Sequence, residues 1–166
     1  KRLLGIVAFG LLVAGAGIAE TASISMGELS CLPSEGNGVV KASVTPEIGG
    51  TVTRTYFRRQ GEGAFYFVDM KAAGGGSYWS VFPRPHNDNE MVEYYSAVED
   101  PYGNTLARSD TKTVEVTNDC VVDLTPEEQG MANNLTVGET SAEQVQKPVS
   151  WFLCEGVVTR MGSDGV

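Results

Sequence analysis

The sequence predicts an all-β protein built as an antiparallel sandwich of two sheets. Two observations point there. Val, Thr, Tyr and Phe are abundant beside 20 Gly and 7 Pro, which suits strands and turns better than helices. Short segments of alternating apolar and polar residues also recur about every ten positions, with turn residues between them, which is the spacing of a sandwich. At 166 residues the chain has room for one ordinary domain plus tails.

Six strands can be placed. Val39 to Val44 is the first, closed by Pro46 and the Gly49-Gly50 pair. Val52 to Arg58 is the second, with Val52, Arg54, Tyr56 and Arg58 on one side and Thr53, Thr55 and Phe57 on the other. After Gly61-Glu62-Gly63, Phe65 to Met70 sets Phe65, Phe67 and Asp69 against Tyr66, Val68 and Met70. Gly74-Gly75-Gly76 turns the chain into Tyr78 to Phe82, which ends at Pro83 and Pro85 because proline cannot donate to a ladder. Met91 to Glu99 is the fifth strand, and Asp100-Pro101-Tyr102-Gly103-Asn104 is a hairpin turn. Thr105 to Val116 is the last, broken near Arg108-Ser109-Asp110.

The N-terminus is of another kind. Lys1-Arg2 precede an uncharged apolar run from Leu3 to Ala19 that stops at Glu20. A basic start, an apolar middle and the small residues of Gly17-Ile18-Ala19 describe a secretory signal peptide. The run also reaches the lower limit of a bilayer span, and residues 16–24 add mildly apolar length for a tilted helix. The expectation carried forward is an uncleaved anchor over residues 1–24, with Lys1 and Arg2 on the cytoplasmic side and the remainder exported. A linker over 25–36, a sandwich over 37–120 and an extension over 121–166 follow. That places one span in a bacterial inner membrane and the main domain in the periplasm. Gly10, Ala14 and Gly17 lie near one helical stripe, where small residues let another transmembrane helix approach; the same residues are common in signal peptides. No lipid-anchor Cys follows the run.

The chain has three cysteines. Strands of alternating direction return the end of the last to the pole where the first begins, so a Cys31 to Cys120 disulfide is expected in an exported protein, with Cys120 to Cys154 as the alternative. Beyond the sandwich, Thr125-Pro126-Glu127-Glu128-Gln129 reads as a helix start, with Thr as cap and acids in the first turn. Residues 148–154 and 157–161 read as a hairpin, and an isolated hairpin is marginal, so it is expected to pack on the sandwich or on a partner.

The run from Val52 to Asn104 resembles a bacterial immunoglobulin-like (Ig-like) module related to fibronectin type III. The resemblance rests on Thr55-Tyr56-Phe57-Arg58, Tyr66-Phe67-Val68-Asp69-Met70, Gly76-Ser77-Tyr78-Trp79 leading to Phe82-Pro83, and Val92-Glu93-Tyr94-Tyr95 leading to Asp100 and Gly103-Asn104. Residues 133–166, especially Val137-Gly138 and Phe152-Leu153-Cys154-Glu155-Gly156, look like a tail of exported envelope proteins that carry such modules. The resemblance implies a structural or adhesive module and carries over no catalytic residue; fold alone does not name a function.

Chemistry is sparse in the pattern. A net charge of -9 argues against nucleic acid, because phosphate binding needs clustered Lys and Arg. The single histidine, His86, has neither an oriented partner nor a nucleophile nearby in sequence. Asn87, Asp88, Asn89 and Glu90 offer oxygens to calcium but lack the spacing and central Gly of an EF-hand loop. The glycine triplet is no phosphate loop, since no Gly-Lys-Ser/Thr follows. Three Cys with one His give no paired zinc spacing. Asn134-Leu135-Thr136 fits a glycosylation sequon that arises often by chance. No cofactor, metal or small-molecule substrate is expected.

Aromatic residues remain. An outward set of Tyr66, Trp79, Tyr95 and Trp151 would suit a protein interface or a sugar-stacking platform, while core or cross-strand pairing is the plainer account of the same residues. The expected function is therefore a non-catalytic, membrane-anchored scaffold that braces integral membrane subunits of a larger complex. One concrete form is an extrinsic subunit of a bacterial photosynthetic reaction centre and light-harvesting assembly, its helix carrying no pigment-ligating His. The alternative is a periplasmic module that binds carbohydrate or peptidoglycan.

Overall fold

The computed structural model describes residues 21–139 and 151–153. In chain order its strands are β1 (Ser23–Met26), β2 (Leu32–Pro33), β3 (Gly38–Thr45), β4 (Val52–Arg59), β5 (Tyr66–Asp69), β6 (Lys71–Gly74), β7 (Ser77–Phe82), β8 (Arg84–Pro85), β9 (Met91–Glu99), β10 (Thr105–Arg108) and β11 (Lys112–Thr117). Helix α1 (Pro126–Ala132) follows, then β12 (Gly138–Glu139) and β13 (Phe152–Leu153). One sheet has the order β1-β3-β7-β6. The larger runs β12-β5-β4-β9-β11-β2, with β10 also on β9, and β13 pairs β8 separately. Pairing is antiparallel except between β11 and β2.

The two sheets enclose one core because each strand alternates. Val40, Ala42 and Phe82 of the smaller sheet meet Phe57, Val68, Val92, Tyr94 and Val114 of the larger. Phe57 sits at its centre, its ring 4.9 Å from Phe82 and 4.9 Å edge-on from Phe152. Polar groups also cross this layer. Thr55 Oγ1 lies 3.0 Å from Ser80 Oγ and 3.3 Å from Ser96 Oγ, all fully buried, and satisfied hydroxyls at such depth tie the sheets to one relative register.

Several expectations shift. The third strand, expected over Phe65 to Met70, is β5 of the larger sheet, and an unexpected strand, β6, follows it in the smaller, so the chain changes layers at Met70. Ser23–Met26, expected as the end of a span and the start of a linker, is edge strand β1, paired with β3 over Ser23↔Thr45 to Met26↔Ala42. Its Ile24 and Met26 pack into the core. The break near Ser109 separates β10 from β11, and both lie along β9. The Gly74-Gly75-Gly76 turn has positive φ throughout, and at Gly76 a Cβ would lie 2.4 Å from the Val44 carbonyl oxygen, so only glycine fits.

Helix α1 starts where Thr125 implied. The Thr125 side chain accepts from Glu128 N, and the Glu128 carboxylate accepts from Thr125 N at 2.8 Å, a capping box. Phe152 supplies a buried core side chain from beyond the sandwich, as the packing argument required. Its expected hairpin partner, residues 157–161, lies outside the described residues, as do Cys154, the apolar run and its Gly10, Ala14 and Gly17. Among the described residues no helix is long and apolar enough to cross a membrane.

Cys31 and Cys120 form a disulfide with their Cα atoms 5.9 Å apart. The bond joins the segment before β2 to the segment after β11, where Leu32 already faces Val116 and Ser34 N donates to the Thr117 carbonyl.

Candidate interaction surfaces

The outer face of the larger sheet is assembled from every second residue of β4, β5 and β9. Thr53, Thr55 and Phe57 point inward, so Arg54, Tyr56 and Arg58 point outward. Register places Tyr56 between Phe67 and Tyr95, Arg54 between Asp69 and Ala97, and Arg58 opposite Glu93. Tyr56 stacks on Tyr95 with ring centroids 4.8 Å apart, and Phe65 meets Tyr95 edge-on at 5.0 Å. Three guanidinium groups then lie over this aromatic layer: Arg54 at 4.4 Å from Phe67, Arg58 at 4.3 Å from Phe65, and Arg108 at 3.8 Å from Tyr95. Each such contact contributes about 0.5–1 kcal/mol where exposed, and more where water is excluded.

Carboxylates hold Arg54 and Arg58 in place, while Arg108 donates from Nη2 to Thr111 Oγ1 at 3.1 Å. Arg54 donates from Nη1 to Glu99 at 2.6 Å and from Nε to Asp69 at 2.9 Å. Tyr56 donates its phenol proton to the other Glu99 oxygen. Arg54 and Glu99 side chains are only 12% and 7% exposed, so removing one member would strand a nearly buried charge. Burial alone would weaken the Arg54 charge, but Asp69 and Glu99 outweigh it and its pKa is raised. Burial first, and then the Glu99 hydrogen bond, push the Tyr56 phenol well above its ordinary value. Tyr95 is also raised by burial, with Arg108 opposing. Arg58 closes the far end by donating to Glu93 at 2.6 Å and to the Glu62 carbonyl at 2.7 Å. On β12, Gly138 leaves room for the Phe67 ring, which a Cβ there would strike at 2.2 Å.

The four aromatic residues singled out from sequence occupy separate places. Tyr95 belongs to the arginine-covered layer. Tyr66 faces the core, 6.2 Å from Phe57, because Asp69 on the same strand takes the solvent face and carries Phe65 and Phe67 with it. Trp151 lies beside β8 beneath Arg59, whose guanidinium is 4.0 Å from its ring. Trp79 lies on the outer face of the smaller sheet, paired with Lys41 on one side and Lys71 on the other. Sequence pattern missed the arginine layer itself. Its signal was present in the shared parity of Arg54 with Arg58 and of Phe65 with Asp69.

His86 has a structural setting. Its Nδ1 is 2.7 Å from Asp88 Oδ1, its backbone N–H donates to the Trp151 carbonyl at 2.9 Å, and the Asn89 side-chain amide donates to the same carbonyl. The loop thereby fastens β13 to β8. Among the described residues no group of three or more His, Cys, Asp or Glu side chains is placed to hold a metal ion.

A second concavity, a groove of ≈ 710 Å³, lies on the smaller sheet beside α1 and includes Trp79. No protein-family model matches the chain, and no curated protein matches it.

Proposed function

We propose that this chain is an exported Ig-like recognition module that works by binding rather than catalysis, and that it braces neighbouring subunits of a membrane assembly through the outer face of its larger sheet. The observation that carries the reading is that face. A solvated sheet face ordinarily alternates polar residues outward, whereas this one presents Tyr95 and Phe65 beneath Arg58 and Arg108. Aromatic residues and Arg are the types enriched at protein interfaces and at their energetic centres. The Cys31–Cys120 bond supports export, since disulfides persist in oxidising compartments. The apolar run before residue 20 supports attachment to a membrane. Nothing among the described residues favours a photosynthetic assembly over another membrane complex.

Extraction in mild detergent, native purification through this chain and mass spectrometry of what travels with it test the reading. Stoichiometric integral membrane proteins are expected, and the same spectrum reads whether residues 1–19 remain attached. A chain that purifies alone, beginning near Glu20, would overturn it.

A further inference from the structure

We propose that the groove between α1 and the smaller sheet is a saccharide-binding site, built to take a neutral oligosaccharide over the face of Trp79. The argument begins with strand parity. Ile24, Met26, Val40, Ala42 and Tyr78 face the core, so Ser25, Lys41, Ser43, Ser77 and Trp79 are turned outward. Register then sets two rows across the sheet. Ser25, Ser43 and Ser77 stand side by side in one, and Lys41, Trp79 and Lys71 in the next. Helix α1 packs against β7 and walls the groove with Glu127 and Glu128.

A pyranose presents an apolar C–H face and a rim of hydroxyls. The indole supplies a flat apolar plate for the first. Lys71 does not cover that plate: its ammonium is 5.9 Å from the ring centroid, at the limit of a cation–π contact, and it is held 2.5 Å from Glu127 instead. For the rim, the serine hydroxyls donate or accept, Lys41 donates, and the glutamates retain lone pairs for sugar hydroxyls. Lys41 forms no ion pair with a described residue.

Charge selects the class of ligand. One lysine, Lys41, and two glutamates line the groove, with Lys71 beside it paired to Glu127, so an anion gains no net attraction, and a nucleotide would add phosphate to a chain of charge -9. The volume falls within the roughly 300–1,000 Å³ of small-ligand sites. Mixed donors and acceptors around one aromatic plate match a neutral sugar.

This site lies on the smaller sheet, apart from the arginine-covered face, so it goes beyond the bracing role and is tested separately from it. The full chain is titrated with cellotriose, maltotriose and tri-N-acetylchitotriose by calorimetry and saturation-transfer NMR. Saturable binding of at least one is expected. Trp79→Ala weakens it about tenfold, the loss of one aromatic stacking contact, Ser43→Tyr blocks the groove and abolishes it, and Tyr95→Ala on the other face leaves it unchanged. Should Trp79→Ala fail to fold, Ser43→Tyr decides. Binding of none of the three sugars, or binding indifferent to Ser43→Tyr, overturns the proposal. So does protection of the β6 amides by an added extended peptide in the absence of sugar binding, which would assign this face to a protein strand.

Discussion

Replacing Cys31 and Cys120 together by Ser removes the bond that closes a loop of sequence separation 89. In the chain-entropy account this releases about 15 cal/mol/K in the unfolded state, or about 4.6 kcal/mol at room temperature. The folded state loses little by comparison. The neighbouring segments are held independently by the parallel β2–β11 pairing and by the hydrogen bond from Ser34 N to the Thr117 carbonyl. The cost should therefore appear as a changed unfolding midpoint rather than a changed fold. With a urea slope of about 2 kcal/mol per M, the midpoint falls by about 2 M, while the circular dichroism spectrum at zero urea stays that of the parent. Peptide mapping of the parent should recover the Cys31 and Cys120 peptides joined. A midpoint shift below about 0.5 M under the same slope would refute the view that this bond clamps the two ends of the sandwich, as would recovery of Cys120 joined to Cys154.

Other perturbations address the layers on either side of the larger sheet. Glu99→Ala leaves Arg54 only its exposed Asp69 partner and the Tyr56 hydroxyl without its acceptor, and should cost about 3 kcal/mol in urea unfolding. Tyr56→Phe, which removes one donor to the same carboxylate, should cost about 1–2 kcal/mol; equal losses from the two variants would contradict the network as described. Phe57→Ala empties the centre of the core and should cost about 3–5 kcal/mol in a thermal or chemical melt. Asp100 accepts from the backbone of Tyr102 and Asn104 and from the Asn104 side chain, which lower its pKa. Its contribution to the hairpin turn is present above the ordinary aspartate value and fades as pH falls through the lowered one. Carboxyl NMR should place its midpoint below other exposed aspartates, and an ordinary midpoint would contradict the turn geometry.

The long strands of the two sheets were legible because long alternating segments carry their own period. β3, β4, β7 and β9 needed nothing else, and the Thr125 capping box marked α1 unaided. The pieces that escaped are those whose existence depends on a neighbour. β2, β8 and β12 are two residues long, too short for any period, and form only because another strand offers its edge; β13 falls inside the arm read over residues 148–154, but its pairing with β8 left no mark. The change of layer at Met70 left no local mark, since β6 (Lys71–Gly74) is exposed along its length and carries no alternation. Alternation grouped Tyr66 with Val68 and Phe67 with Asp69, but Tyr66, expected outward, packs against the core instead, because Asp69, whose partner Arg54 lies on the adjacent strand, takes the outer face. The aromatic layer was likewise visible as residue types but not as a surface, because its coherence comes from diagonal contacts across three strands.

The outer faces of both sheets thus carry more than solvation requires. On the larger sheet Arg54 and Arg58 are fixed over rings by carboxylates and Arg108 by the Thr111 hydroxyl, which pre-organises long side chains that would otherwise lose entropy on binding. On the smaller, an indole stands in a row with two lysines.

The bracing role is tested most directly by comparing the partner affinity of the full chain with that of Arg108→Glu and Tyr95→Ala, with Trp79→Ala as a folded control from the other face. A loss of at least about 30-fold for each of the first two, the effect of removing an interface hot spot, with the control unchanged and all three giving the parent's circular dichroism spectrum, is the expected result. Undiminished capture of the same membrane subunits by Arg108→Glu and Tyr95→Ala would contradict the account.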